Sequence, residues 1–226
     1  VQARLQQRLG ELRLADQPLP DADSAAVQRA MLDGIQRHGL ACLPWNEETR
    51  RLQARVNFLN SLDAAHWPDF SESSLLHSSE QWLLPFLNGV TRLAQLKRVD
   101  LRAALLAMLD WQQQQQLDKL APSHIRVPSG SSLRVDYSAP TPVLAVRLQE
   151  MFGLAQTPRV AGGAVPVVLH LLSPAQRPVQ VTQDLAAFWA GSYRQVKKEL
   201  RGRYPKHYWP DDPMQAQATA RARPRK

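Results

Sequence analysis

The chain has 226 residues, 44% of them hydrophobic and 21% charged, and a formal net charge of +8 at pH 7. Such proportions are those of a soluble globular protein that buries its own core, and the length fits one large domain or two small ones. The single cysteine, Cys42, excludes an intramolecular disulfide and a cysteine-rich zinc site. No apolar run approaches the roughly 18 residues of a membrane span, so we expect no membrane partner.

The sequence begins at Val1 without a signal-peptide pattern, and we expect a piece of a longer protein. Cys42 lies in the apolar run 39–45, which favours a buried packing thiol over a nucleophile. A single unpaired cysteine suits a reducing compartment, so the predicted localisation is cytoplasmic.

The first half of the chain is predicted to be mostly helical. Loose apolar alternation over residues 1–14 predicts one or two strands, and an acidic linker with prolines follows them. Residues 23–122 carry helix signals and form the predicted helical domain.

Individual helices of that domain are predicted from their caps. Ser24 is the expected cap of a helix that Gly39 closes, and Asn46 precedes a second helix. Short helical turns are expected to start at serines in the following stretch, which are Ser71, Ser74 and Ser78. Asp100 is the expected cap of the longest helix, which runs towards Leu120 and is stopped by Pro122.

Beyond residue 122 the period of the apolar pattern changes. Residues 124–127 and 133–137 alternate apolar with polar and predict a hairpin. After Pro142, a spacing of four residues between apolar positions predicts a short helix, the positions being Leu144, Leu148 and Phe152.

Two further strand regions complete the predicted second domain. Residues 159–160 and 165–172 flank a Gly162-Gly163 turn and predict a second strand pair, and residues 179–181 predict a third short strand. Residues 123–210 are therefore predicted to be a β-rich domain with a closing helix. The fold class is α+β, with a mostly helical N-terminal part and then a small β-sheet or partial barrel packed with helices.

Motifs for nucleotide chemistry do not occur in the sequence. It contains no G-x-x-x-x-G-K-[ST] loop, no G-x-G-x-x-G pattern and no G-x-S-x-G elbow. The six histidines show no metal-ligand spacing. Asp136 and Glu150 allow a nuclease-like pair, but nothing in their spacing is specific. We therefore expect no enzyme activity, cofactor or metal in this chain alone.

Positive charge concentrates at the C-terminal end. Residues 192–226 hold ten lysines and arginines against three acidic residues, whereas residues 1–191 hold 18 and 17. A closing helix is predicted from Thr182 to Arg203, with apolar side chains gathered on one face. Four cations fall on the opposite face: Arg194, Lys197, Lys198 and Arg201.

The segment after this helix interleaves basic and aromatic residues. Cations bind phosphates, and aromatic rings stack on bases. The predicted nucleic-acid-binding residues are Arg194, Lys197, Lys198, Arg201, Arg203, Tyr204, Lys206, His207 and Trp209. Alternatively, Tyr204 and Trp209 cover apolar surface and the cations merely solubilise the chain. A basic amphipathic helix can also bind an acidic membrane or an acidic protein. Residues 211–226 lack apolar periodicity and are predicted to be a flexible basic tail.

Several long runs of the sequence resemble the C-terminal region of the bacterial DEAH-box ATP-dependent helicases of the HrpB type. The runs are residues 8–10, 43–45, 128–130, 136–137, 142–154, 170–182 and 201–207. The resemblance implies an upstream motor with two RecA-like domains, to which ATP and Mg belong. It also implies that residues 1–22 are the end of a preceding accessory domain and a linker. The implied partners are nucleic acid and the helicase core domains of the same polypeptide.

Three functions follow for this part. The leading hypothesis is a non-catalytic accessory module that holds RNA or DNA for the motor. The alternative is a scaffold that docks on the helicase core or on another protein. An unrecognised nuclease is the third.

Overall fold

A computed structural model describes residues 1–19 and 22–224 of the chain. Two compact units are present, Val1–Gln114 and Gln115–Lys226. Helices combine with one mixed sheet and two small two-stranded ladders, which confirms the predicted α+β class. None of the helices in the described ranges is long and apolar enough to cross a membrane.

The first unit begins with an antiparallel hairpin, followed by helices. Its strands are β1 (Arg4–Leu9) and β2 (Leu12–Pro18). Its α-helices are α1 (Ser24–His38), α2 (Glu47–Leu62), α3 (Glu72–His77), α4 (Ser79–Trp82) and α5 (Leu101–Leu106). Three 3-10 helices lie between them, at Leu40–Cys42, Leu84–Leu87 and Leu93–Arg98. The boundary between the units falls inside α6 (Trp111–Leu120).

Caps explain where the first helices begin and end. Asp23, and not the predicted Ser24, caps α1, because its carboxylate accepts hydrogen bonds from the amides of residues 25 and 26. Gly39 ends this helix with a φ of 79°, as predicted. Asn46 caps α2 in a reciprocal capping box with Thr49.

The longest helix predicted from the sequence is in fact two helices. Asp100 caps α5 as predicted, accepting a bond from the Ala103 amide at 2.9 Å. The chain then turns before a second capping box, in which the carboxylate of Asp110 accepts from the Gln113 amide at 2.7 Å. The side chain of Gln113 accepts in return from the Asp110 amide at 2.8 Å. This box starts α6, which ends before Pro122.

The second unit is organised around a five-stranded sheet of order β3-β4-β5-β8-β9. All neighbours are antiparallel except β5 and β8, which are parallel. These strands are β3 (His124–Arg126), β4 (Ser132–Asp136), β5 (Val143–Arg147), β8 (Val168–Leu172) and β9 (Pro178–Thr182). Strands β6 (Arg159–Val160) and β7 (Val165–Pro166) form a separate ladder around the Gly162-Gly163 turn. The predicted hairpin and the predicted strand at residues 179–181 are thus confirmed. The single strand predicted over residues 165–172 is instead two strands: β7, which pairs with β6, and β8, which belongs to the five-stranded sheet.

The helix predicted after Pro142 is wrong, because these residues form β5, the middle strand of the sheet. Alternate residues Leu144 and Val146 are buried, as a two-residue period requires. Leu148 and Phe152 are buried too, but they lie beyond the strand, in and after the 3-10 helix Leu148–Glu150. The four-residue spacing of the three buried side chains therefore does not reflect a helix, because one lies in the strand and the other two lie in and after the 3-10 helix that follows it.

The predicted closing helix is broken into α7 (Leu185–Ala190) and α8 (Tyr193–Arg203). The break falls at Gly191, where an added Cβ would lie 3.3 Å from the carbonyl oxygen of Ala187. An aromatic cluster buries the inner faces of both helices, with ring centroids 5.0 to 6.2 Å apart. Its members are Phe152, Phe188, Trp189 and Tyr193.

Residues 211–224, which we call the C-terminal strap, belong to the second unit and pack against the rest of it. The amide of Gly153 donates to the carbonyl of Pro213 at 2.9 Å, and the Thr219 amide donates to the carbonyl of Gln149 at 3.0 Å. Ala216 and Thr219 are buried. These contacts differ from the free tail that the lack of apolar periodicity suggested. Arg225 and Lys226, the last two residues of that predicted tail, lie outside the described residues, as do Pro20 and Asp21 of the predicted 1–22 segment.

Candidate nucleic-acid interface

Helix α8 has one buried and one cationic face. Tyr193, Val196 and Leu200 are buried, at the three- and four-residue spacing of one helix face. The side chains of Arg194, Lys198 and Arg201 are exposed and form no ion pair with a described residue. The structure therefore confirms that α8 has an apolar side and a basic side.

Lys197 departs from the prediction that all four cations face solvent. Only 14% of its side chain is exposed, and its ammonium forms an ion pair with the carboxylate of Asp211. The hydrogen bond and the charge of Lys197 hold the pKa of Asp211 below its usual value. Asp211 and the four cations together line a surface cavity of about 460 Å³.

Asp211 is placed at this cavity by its backbone neighbours. The hydroxyl of the buried Tyr193 donates to the carbonyl of Pro210 at 2.8 Å. Burial, and then the negative charge of Asp211, raise the pKa of Tyr193, so the hydroxyl stays protonated as a donor. Two residues after Asp211, the carbonyl of Pro213 accepts from Gly153. The chain is therefore held on both sides of Asp211.

The segment after α8 brings its aromatic residues together, half-buried. The indole N–H of Trp209 donates to the carbonyl of Tyr204 at 2.9 Å, and the Tyr204 hydroxyl lies 3.5 Å from the hydroxyl of Ser173. The ring of His207 lies 6.0 Å from that of Tyr204 and 6.3 Å from that of Trp209. Arg203 and Lys206 are exposed beside them. These rings cover part of the fold, and their role in base stacking stays a prediction.

His207 also belongs to a polar contact that the sequence did not reveal. Its Nδ1 lies 3.0 Å from Oε1 of Gln149, whose Nε2 donates to the carbonyls of Thr219 and Arg221 in the strap. Because those carbonyls fix the orientation of the amide, Nδ1 carries the proton and donates. Burial, and then the charge of Arg147, lower the pKa of His207. A buried glutamine has no sequence signature that would have identified this role.

Glu150, which the sequence offered as a member of a nuclease-like pair, is engaged in structural contacts. Glu150 is buried, and its carboxylate binds Arg147 and the hydroxyl of Ser129, each at 2.8 Å. Burial alone would raise the pKa of Glu150, but hydrogen bonds from Ser131, Arg147 and Ser129 together lower it. Among the described residues there is no group of three or more His, Cys, Asp or Glu that could hold a metal ion.

Cys42 is half-buried and its thiol lies 3.1 Å from the carbonyl of Gly39. Burial raises the pKa of the thiol, which disfavours the thiolate that a nucleophile requires.

Residues 82–213 match the family described as "ATP-dependent helicase C-terminal". The chain belongs to this family. The match includes the sheet, α7, α8 and the start of the strap, and it confirms the resemblance to HrpB-type helicases that the sequence suggested.

Individual relatives agree with this assignment. The chain is 47% identical over 221 residues to the "ATP-dependent RNA helicase HrpB" of Escherichia coli strain K12. It is similar to the crystal structure of the E. coli "DExH-box NTPase HrpB", with a TM-score of 0.83 and 42% identity over 98% of this chain. It also resembles the structure of the E. coli "DEAH/RHA helicase HrpB", with a TM-score of 0.72 and 44% identity over 91% of this chain.

The match covers almost all of this chain but only part of each relative. The chain covers 96% of its own length in the alignment with the curated relative and spans 27% of that relative's length. It spans 29% and 26% of the two crystallised chains. The chain therefore spans less than a third of each of these relatives, and the activity of the whole relatives is a property of longer polypeptides.

Proposed function

We propose that this chain is a non-catalytic accessory module of an HrpB-type ATP-dependent helicase, and that it holds nucleic acid for the motor domains of the same polypeptide. The observation that carries the proposal is the row of exposed cations on α8. Arg194, Lys198 and Arg201 point away from the buried face, and none of them forms an ion pair with a described residue, although the charge of Arg201 helps to lower the pKa of Asp211. Cations that the fold does not use for packing or pairing are available to phosphates.

The helicase relatives support nucleic acid as the partner. The curated relative is named as an RNA helicase, which favours RNA over DNA for this family member as well. ATP and Mg are assigned to the motor domains, since the chain has no phosphate-binding loop. The predicted cytoplasmic localisation belongs to the same proposal.

A charge-reversal variant tests this function. We expect the triple variant Arg194→Glu, Lys198→Glu, Arg201→Glu to lose salt-dependent binding to labelled single-stranded RNA. Losing three phosphate contacts flattens the slope of log affinity against log salt by about 2, at about 0.7 for each contact with a single strand. The fold should persist, because exposed substitutions change the free energy of unfolding by about 0.5 kcal/mol each.

The matched control reverses three exposed arginines of other elements, which are Arg29, Arg98 and Arg126. It has the same net charge as the triple variant. Fluorescence anisotropy at two or more salt concentrations measures both variants, with single- and double-stranded RNA and DNA in parallel. Equal slopes for the triple variant, the control and the original chain would contradict the proposal.

The aromatic residues make a separate contribution. We expect Tyr204→Leu and Trp209→Leu to weaken single-strand binding without changing the salt slope, because stacking releases no counterions. Alanine substitution of a stacking ring removes about 1–3 kcal/mol per base. Leucine is preferred here because both rings are half-buried and the substitution keeps apolar cover. Unchanged affinity in well-folded variants would assign both rings to packing alone.

The scaffold alternative has one observation in its favour. The cavity on α8 already accommodates an aspartate carboxylate, that of Asp211. An acidic segment of the helicase core or of another protein could bind the same cations. In that case the triple variant would lose docking to the separately produced motor domains and leave RNA affinity unchanged.

A further inference from the structure

The ion pair between Lys197 and Asp211 is placed where a bound anion would compete with it. Asp211 is the single acidic residue lining the α8 cavity, and the other lining residues are all cations. We propose that Asp211 is an internal competitor of nucleic acid: its carboxylate holds Lys197 in the free protein, and a backbone phosphate displaces it on binding. This inference rests on the proposed function and specifies the phosphodiester backbone as the ligand of the cavity.

Lys197 stays in the cavity whichever anion it binds. Its side chain is largely buried, in contrast to the exposed cations on the same helix, so its stem is fixed by packing. The ammonium at the end of that stem is therefore presented to the cavity mouth. Removing Asp211 from it would leave a positioned cation with no carboxylate partner among the described residues.

Asp211, in contrast, is free to leave. Its carboxylate is fully exposed, and the bond to Lys197 is the one side-chain hydrogen bond it forms among the described residues. An ion pair whose carboxylate is fully exposed to solvent adds little to stability, so an incoming anion can break it. The backbone is anchored through Pro210 and Pro213, so the displaced carboxylate remains near the cavity and can return.

The length of the cationic row favours a polyanion over a single small anion as the ligand of the cavity. Arg194 and Arg201 lie seven residues apart on α8, which is about 10 Å along the helix axis. The phosphates of one duplex strand repeat about every 3.4 Å along its axis, so this length faces about three of them. A small monovalent anion would replace Asp211 without contacting the outer cations. A nucleic-acid backbone contacts them at the same time as it reaches Lys197.

The substitution Asp211→Asn tests this competition, with Asp212→Asn as its matched control. The neighbouring Asp212 is not a lining residue, and its Oδ1 accepts from the Met214 amide at 2.8 Å, a bond that asparagine can keep. Both variants change the net charge by the same amount. The probes are fluorescein-labelled single- and double-stranded RNA, titrated by anisotropy at several salt concentrations.

We expect Asp211→Asn to bind the RNA about two- to fivefold more tightly, as the loss of one competing ion pair with a solvent-exposed carboxylate implies. The salt slope should steepen by up to about 0.7 with a single strand and about 0.9 with a duplex. In the original chain salt also weakens the competing Lys197–Asp211 pair, which offsets part of the salt dependence, and the variant lacks this offset. In a Lys197→Met background, which keeps the packed stem, Asp211→Asn should have a smaller effect and no steeper slope.

Equal effects of Asp211→Asn and Asp212→Asn would overturn the inference, because only net charge would then matter. The inference would also be wrong if Asp211→Asn changed neither affinity nor slope while the triple charge reversal still abolished binding, which leaves the proposed function standing. If the original chain and the triple variant bind RNA equally, the proposed function fails and the competition fails with it.

Discussion

The polar contact around Gln149 predicts how firmly the C-terminal strap is held. Gln149 is 2% exposed, and its side-chain amide donates to two strap carbonyls while its Oε1 accepts from His207. The substitution Gln149→Met keeps most of the side-chain volume and removes all three bonds. The backbone bond from the Thr219 amide to the carbonyl of residue 149 is kept. The variant therefore isolates what the side chain contributes.

The size of the effect follows from the number of bonds lost. A hydrogen bond contributes about 1 kcal/mol net, and a buried group left without a partner costs about 1–3 kcal/mol. The groups around Gln149 are partly buried, so we expect the free energy of opening the strap to fall by about 2–3 kcal/mol. At about 1.4 kcal/mol for each factor of ten, the Thr219 amide would exchange roughly 30- to 140-fold faster. The free energy of global unfolding should change less, since the strap can open by itself.

Hydrogen exchange followed by NMR measures this directly. We expect protection of the Thr219 amide, and of the Tyr208 amide that donates to the carbonyl of Ala222 at 2.8 Å, in the original chain. Gln195→Met is the control, because Gln195 is exposed on α8 and, in the part of the chain that the structure describes, its side chain bonds only to Glu199. Fast exchange throughout residues 213–222 of the original chain is what a flexible tail would give, and it would refute the reasoning. So would equal Thr219 exchange in the Gln149→Met variant.

Three further predictions concern chemistry and stability. The isolated chain should neither bind nor hydrolyse ATP, since it has no phosphate-binding loop, and nucleic-acid-stimulated phosphate release by the pure chain would contradict this. Because the pKa of His207 is lowered in the fold, the neutral ring is favoured, and its stabilisation is complete above pH 6.5 and lost as the pH falls through the lower folded pKa. His207→Asn should therefore flatten the dependence of the free energy of unfolding on pH between about 7 and 5 in urea titrations; an unchanged slope would show that other groups cause it. Tyr193→Phe should lower the free energy of unfolding by about 1–2 kcal/mol through loss of the bond to Pro210, and a variant as stable as the original would exclude that bond as a support of the fold.

Local signals predicted much of the fold. The hairpin of β3 and β4 and the ladder around Gly162-Gly163 follow from alternation and turn residues that are adjacent in the sequence. The buried face of α8 follows from helical spacing alone. The second capping box, between Asp110 and Gln113, was also present in the sequence as an acid followed by a glutamine three residues later. Recognising it would have divided the long helix correctly.

What the sequence did not predict depends on contacts between distant residues. Strand β5 lies beside β8, and the apolar spacing of Leu144, Leu148 and Phe152 fits a helix until that parallel neighbour is known. The candidate site shows the same limit. Helical spacing places Lys197 beside Lys198 on the basic side, but its ion pair with Asp211 joins residues 14 apart. The contact from Gln149 to the strap spans about 70 residues and has no local pattern.

The nucleic-acid hypothesis is best tested where binding and folding use different side chains. On α8 they do, because Tyr193, Val196 and Leu200 fill the core while Arg194, Lys198 and Arg201 take no part in it. In the following segment they do not, because Tyr204, His207 and Trp209 are half-buried and hydrogen-bonded to the fold. A loss of binding after substitution in that segment has two explanations, whereas a loss after reversing the α8 cations has one. Reversing the α8 cations therefore distinguishes a nucleic-acid module from a scaffold, whereas substitution of the rings tests only whether stacking adds to the affinity.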